Sequence, residues 1–91
     1  MTFESRRPCR KSGYQLESID GELLLFHPAQ ARMMYCNETA SLIWQLCDGT
    51  RTVDEIVTLL SEAFPEAETQ IAEDVRATLE QFVAHGAIGF G

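Results

Sequence analysis

The sequence predicts an α+β fold in which a three-stranded antiparallel sheet is followed by three helices, in the order βββααα. Extended apolar runs separated by turn residues fill residues 14–36, which indicates a meander of strands. The pattern in residues 37–60 then predicts two amphipathic helices joined by a short turn, and residues 69–85 carry a longer apolar stripe of helical period. No internal repeat interrupts this order, so the 91 residues make one domain.

Two turn signals delimit the three predicted strands. An alternating run from Tyr14 ends at Asp20-Gly21, a strong hairpin signal because a type I′ turn needs positive φ at both central positions. Residues 22–27 form the return strand, which Pro28-Ala29-Gln30 breaks. Residues 31–36 form the third strand. If the strands pair in sequence, the first and third are the edges of the sheet.

The helix-turn-helix unit in residues 37–60 is marked by residues that begin and end helices. Asn37 can cap the first helix, because its side-chain oxygen can accept a hydrogen bond from a free backbone N–H. Gly49 can take the left-handed conformation that ends a helix. Thr52 and Glu55 have the spacing of a capping box, which starts the second helix.

The three predicted helices span residues 38–47, 53–64 and 69–85. Phe64-Pro65 ends the second one, because the residue before a proline is disfavoured in the helical conformation. Gly86 follows the third helix at the position where a left-handed residue is expected. Its apolar stripe consists of Ile71, Val75, Leu79, Phe82 and Val83.

The charge of −7 is unevenly distributed along the chain. Residues 1–12 hold four basic residues against Glu4, which gives +3, whereas the other 79 residues hold three arginines against 13 carboxylates, which gives −10. We therefore expect a flexible basic segment at residues 1–12 and a folded domain at residues 13–91. A binding arm is the alternative for the basic segment. The acidic domain argues against a duplex DNA partner, because lysine and arginine contacts to phosphates supply most of that affinity.

Other function classes find little support in the composition. No apolar run approaches the ~20 residues of a membrane span, and none follows the N-terminal charges as in a secretory signal, so we expect a cytoplasmic location. Cys9, Cys36 and Cys47 are odd in number and lack CxxC spacing, which argues against a disulfide framework or a zinc site. No catalytic constellation or metal-ligand set is recognisable.

The third predicted strand combines an edge position with an apolar sequence, Met33-Met34-Tyr35. An extended peptide can add to such an edge through backbone hydrogen bonds, and methionines adapt to varied apolar partners. The third helix can form the other wall of a groove, where Asp74 is a candidate anchor for a cationic or polar group. The alternative is that these three residues simply pack in the core and on the sheet surface.

Several segments together resemble the PqqD family, whose members are also called RiPP recognition elements and act as peptide chaperones in the biosynthesis of modified peptides. The resemblance covers roughly residues 14–88. The segments that carry it are Phe26-His27-Pro28, Asn37-Glu38-Thr39-Ala40, Leu46-Cys47-Asp48-Gly49-Thr50-Arg51-Thr52-Val53-Asp54-Glu55-Ile56, and Asp74-Val75 before Leu79.

The resemblance implies a winged-helix-like fold that binds the leader segment of a ribosomal precursor peptide. The leader would lie as a strand against the third strand, in a groove closed by the third helix, and the chain would deliver it to a modifying enzyme, often a radical-SAM protein, without a cofactor of its own. Quinone-cofactor, lasso and thioether pathways all stay open, as does a homodimer formed by exchange of a hairpin or helix. The implied peptide-binding residues are Arg32, Met33, Met34, Tyr35, Ile71, Asp74, Val75 and Thr78.

Two other functions are compatible with the element order. A winged-helix transcription regulator would use the third helix to read DNA, but that helix carries Glu73, Asp74 and Glu80 against Arg76 alone. A small enzyme subunit is the third possibility, and turnover by the isolated chain would be needed to support it.

Overall fold

The computed structural model of the chain describes residues 3–20, 22–30 and 32–90, apart from the side chains of Phe3 and Arg32. The strands are β1 (Pro8–Arg10), β2 (Gln15–Ile19), β3 (Glu22–His27), β4 (Arg32–Cys36) and β5 (Ile88–Phe90). The helices are α1 (Glu38–Leu46), α2 (Val53–Ala63) and α3 (Glu68–Ala84), with single 3-10 turns at Phe3–Ser5 and Pro65–Ala67.

The central sheet has the predicted meander, because β2, β3 and β4 pair antiparallel in sequence order. Asp20 has a φ of 51°, as the hairpin signal requires, and its neighbour Gly21 lies outside the described residues. The second turn is closed by a hydrogen bond of 3.1 Å from the Gln30 N–H to the His27 carbonyl. The third predicted strand is confirmed as β4, and Ala31 before it lies outside the described residues.

The predicted helix-turn-helix unit is confirmed together with its caps. The Asn37 side chain accepts a 2.8 Å hydrogen bond from the Ala40 N–H, which begins α1. Thr52 and Glu55 form the reciprocal capping box of α2, with hydrogen bonds of 2.8 and 3.1 Å. These bonds satisfy backbone donors that a helix leaves free at its start, so both helix starts are fixed by local sequence.

Residues 3–12 hold more structure than the sequence analysis expected. Within them β1 pairs antiparallel with β5, and Pro8 is buried. The Arg10 guanidinium donates hydrogen bonds of 3.0 and 2.8 Å to the carbonyls of Trp44 and Gln45 at the end of α1. A cation at this position satisfies free carbonyls and interacts favourably with the negative end of the helix dipole. The start of the chain is therefore tied to both α1 and β5.

The core lies between the inner face of the central sheet and the three helices. It contains Leu25 from β3, Ile43 and Trp44 from α1, Ile56 from α2, and Phe82 from α3. The rings of Trp44 and Phe82 meet edge to face with centroids 5.4 Å apart, a geometry that aromatic pairs favour.

Cys36 and Cys47 also lie in the core as small hydrophobic residues, as expected, while Cys9 is exposed. Burial raises the pKa of both core thiols, and that of Cys47 to about 12. Among the described residues, no helix is both long enough and apolar enough to cross a membrane.

Candidate functional site

The β4 strand is an open edge of the central sheet. It pairs with β3 on one side, and within the described ranges no strand lies on its other side. An edge strand presents unpaired N–H and C=O groups, which makes it a template for another extended chain. The strand's five residues span about 16 Å at the usual rise per residue.

The register of the sheet determines which β4 residues face outward. Ile19 and Glu22 flank a two-residue loop, so Glu22 bonds to β2, and alternate residues of β3 then bond to opposite neighbours. Leu25 consequently bonds to β4, where its partner is Met34. The backbone groups of Arg32, Met34 and Cys36 therefore point towards β3. Those of Met33 and Tyr35 point to the open edge.

The side chains of β4 alternate between the two faces of the sheet. Met33 and Tyr35 are 59% and 68% exposed on the outer face, whereas Met34 packs against the core and Cys36 is buried. Phe26 and Leu24, which pair with Met33 and Tyr35, are half-buried on the same outer face. An apolar surface thus continues across two strands and reaches the open edge.

One face of α3 lies across a small pocket from the junction of β4 and α1. Asp74, Ala77, Thr78 and Gln81 recur at the spacing of a single helical face, and they border a small pocket of about 170 Å³. Asn37 and Thr39, from the junction of β4 and α1, complete the lining of this pocket. The main packing partners of α3 are α1, α2 and β5.

The structure separates the predicted binding residues into three groups. Met33 and Tyr35 are exposed at the open edge, and Asp74 and Thr78 line the pocket. Ile71 and Val75 are 3% and 0% exposed within the core, where they position α3 rather than present a surface. Met34 is half-buried against the core, and Arg32 is described by its backbone alone.

Three polar residues of the pocket were missed by the sequence analysis. Gln81 lies seven residues after Asp74 on the same helical face, so its spacing was a usable signal. Asn37 was recognised only as a cap, and its Oδ1 does accept from Ala40. The participation of Asn37 and Thr39 depends on how α1 and α3 cross, which no local pattern reports.

The charges of α3 do not suit a nucleic acid. Its exposed surface carries Glu73, Asp74 and Glu80, and its one arginine, Arg76, forms an ion pair with Glu4. Acidic residues on a would-be recognition helix repel phosphates, so the transcription-regulator alternative is not favoured. No group of three metal-binding side chains occurs within residues 3–20, 22–30 and 32–90.

Comparison with known proteins agrees with this architecture. The chain is 32% identical over 90 residues to the PqqA binding protein of Rahnella aquatilis, covering 96% of this chain and 90% of the relative. It is also 32% identical over 90 residues to that of Pseudomonas putida strain W619, covering 94% and 92% of the two chains. The structure of TbiB1 in complex with the TbiA(beta) leader peptide superposes with a TM-score of 0.70 at 19% identity, covering 88% of this chain and 93% of TbiB1.

A family model gives the broadest statement. The model described as coenzyme PQQ synthesis protein D matches residues 22–88, which include β3, β4 and all three helices. This match takes in the open edge and the pocket-lining face of α3 as well as the core. The chain therefore belongs to the PqqD family.

Proposed function

We propose that this chain is a noncatalytic chaperone that binds the leader of a ribosomal precursor peptide as an added strand on β4 and presents it to a modifying enzyme. The observation that carries the proposal is the unpaired edge of β4, with the backbone of Met33 and Tyr35 facing outward beside α3. Each backbone hydrogen bond made there has a net value of about 0.5–1.5 kcal/mol.

The exposed side chains on this edge support the same function. Met33 and Tyr35 extend large apolar surfaces into water on a strand that can pair with other chains, an arrangement that proteins ordinarily avoid. A bound strand would cover part of this surface with its outward side chains. Its inward side chains would enter the space between β4 and α3.

The relatives indicate the class of peptide. Proteins 32% identical to this chain are named for binding PqqA, and a chain of the same fold has been solved with a leader peptide. We propose PqqA or a peptide like it as the precursor, a radical-SAM protein as the receiving enzyme, and the cytoplasm as the location. A homodimer that exchanges a hairpin or helix is the competing arrangement, in which the edge is occupied by a second copy.

Titration of the ¹⁵N-labelled chain with synthetic PqqA tests the binding mode. We expect the largest amide shifts at residues 32–37 and 74–81, with small shifts at the turn between α1 and α2. A scrambled peptide of the same composition should leave the spectrum unchanged. Shifts concentrated on α1 and α2 would place the peptide elsewhere and overturn the edge assignment.

Two further measurements complete the test. Sedimentation of the free chain and the complex distinguishes a one-to-one complex from an exchanged dimer. Mass spectrometry of PqqA after incubation with the isolated chain should show no change in peptide mass. A modified peptide would instead support an enzyme.

A further inference from the structure

We propose that the pocket between the β4–α1 junction and α3 holds a lysine or arginine side chain of the bound peptide, an inference that rests on the proposed function. The pocket of about 170 Å³ is smaller than the ~300–1,000 Å³ typical of small-molecule sites, so it suits a single side chain. It lies at the end of the groove where β4 meets α1.

The lining of the pocket favours a cationic hydrogen-bond donor. Asp74 contributes a carboxylate, Thr39 and Thr78 contribute hydroxyls, and Gln81 contributes an amide. None of the six lining residues is basic. Arg76, the arginine of α3, is directed to Glu4 instead. A lysine or arginine head group can satisfy several of these acceptors at once.

The wider charge distribution acts in the same direction. Residues 13–91 carry a formal charge of −10, to which Glu73 and Glu80 contribute on another face of α3 and Glu38 at the start of α1. An acidic surface around a small cleft raises the local concentration of cations and disfavours acidic ligands. The bound peptide is therefore expected to place a positive charge at this end of the groove.

The register of β4 specifies which peptide residue reaches the pocket. Side chains of directly opposite residues in paired strands share a face, and Cys36 points to the inner face of the sheet. A peptide residue opposite Cys36 would thus point inward, next to Asn37 and towards Asp74. We assign the basic side chain to this position in the added strand.

A lysine scan of the peptide tests the assignment. Two panels of synthetic PqqA are made in which each residue in turn is replaced by lysine or by glutamine, and affinities are measured by fluorescence anisotropy at low and high salt. We expect one position at which lysine binds about three- to tenfold more tightly than glutamine. That preference should disappear in the Asp74→Asn variant and persist in Glu80→Gln, whose change lies on another face of α3.

The outcomes separate this inference from the proposed function. If the panels bind but no lysine position depends on Asp74, the pocket assignment is wrong and edge binding stands. If no peptide of either panel binds, both proposals fall. In the supporting case, Asp74→Lys should reverse the preference, so that glutamate at the same peptide position binds more tightly than lysine.

Discussion

Replacing Met33 with proline should abolish one peptide contact while leaving the fold intact. The Met33 N–H points to the open edge, so proline removes a donor that the peptide would use and no bond to β3. Met34, one residue further, bonds to Leu25 of β3 instead. The same substitution at Met34 would break a hydrogen bond of the central sheet. We therefore expect proline to reduce peptide binding at position 33 and folding stability at position 34.

The magnitude follows from the missing donor. Without the Met33 N–H, a carbonyl of the bound peptide is left unpaired in the groove, which costs about 1–3 kcal/mol. Because 1.4 kcal/mol corresponds to a tenfold change in affinity, binding should weaken by about 5- to 140-fold. The Met34→Pro variant should instead lose about 1–3 kcal/mol of folding free energy, since the Leu25 carbonyl loses its partner.

Isothermal titration with synthetic PqqA measures the first effect, and urea unfolding measured by circular dichroism gives the second. Met33→Ala is the matched control, because it removes the same exposed side chain but retains the N–H. It should bind more tightly than Met33→Pro by the factor attributed to the hydrogen bond. A folded Met33→Pro variant that binds as tightly as Met33→Ala would show that the peptide does not pair with this edge.

Four further predictions concern the scaffold. Gly13→Ala should lower the free energy of unfolding by about 1–3 kcal/mol, because Gly13 has a φ of 93° and an added Cβ would lie 2.5 Å from His27 Nε2; thermal unfolding measures this. Arg10→Gln should cost about 1 kcal/mol through its two hydrogen bonds to the end of α1, and β1 amides should exchange faster with deuterium. Because burial raises the Cys47 pKa to about 12, stability should fall as pH rises from about 9 to about 12, and the decline should weaken in Cys47→Ala. At pH 8, iodoacetamide should modify Cys9 and spare Cys47 in the folded chain, and equal labelling would contradict this burial.

Local signals explain why most of the fold was predictable. Asp20 and Gly49 mark positive-φ positions, and Asn37 and the Thr52–Glu55 box mark helix starts through hydrogen bonds within three residues. Such features are determined by neighbours in the sequence, so a pattern of residue types reveals them. The apolar edge at β4 was predictable for the same reason.

The two-stranded sheet of β1 and β5 had no comparable local signal in the sequence. Its strands have three residues each, and their partners closest in sequence, Arg10 and Ile88, lie 78 positions apart. The charged residues in and around β1 have the composition of a solvated terminus. The hydrogen bonds of Arg10 to the end of α1 depend on the three-dimensional position of that helix, which the local sequence does not report. Contacts between chain ends are set by the assembled core, which a reading of local periodicity does not include.

The sequence of α3 only partly indicated which of its residues are buried in the core and which line the pocket. Helical spacing placed Ile71 and Val75 on the apolar stripe, but the resemblance implied that they bind peptide together with Asp74 and Thr78. In the structure, the first pair is buried in the core and the second lines the pocket. The two stripes are neighbours on the helix, and the packing of α3 against α1, α2 and β5 buries only the apolar one. Predicted binding residues on a groove-lining helix therefore include core residues until the packing is known.

The choice of outward-facing amides on β4 illustrates how a local feature can control a distant one. The two-residue loop after Ile19 makes the backbone of Glu22 bond to β2. Because alternate residues of β3 bond to opposite neighbours, this determines which β4 residues bond to β3. The backbone groups of Met33 and Tyr35 therefore face the open edge. The same alternation places the side chains of Met33 and Tyr35 on the outer face. A shift of the strand register by one residue would turn these side chains to the inner face and their backbone groups towards β3. The proposed binding of a peptide to β4 would thus depend on the length of a turn that the peptide does not contact.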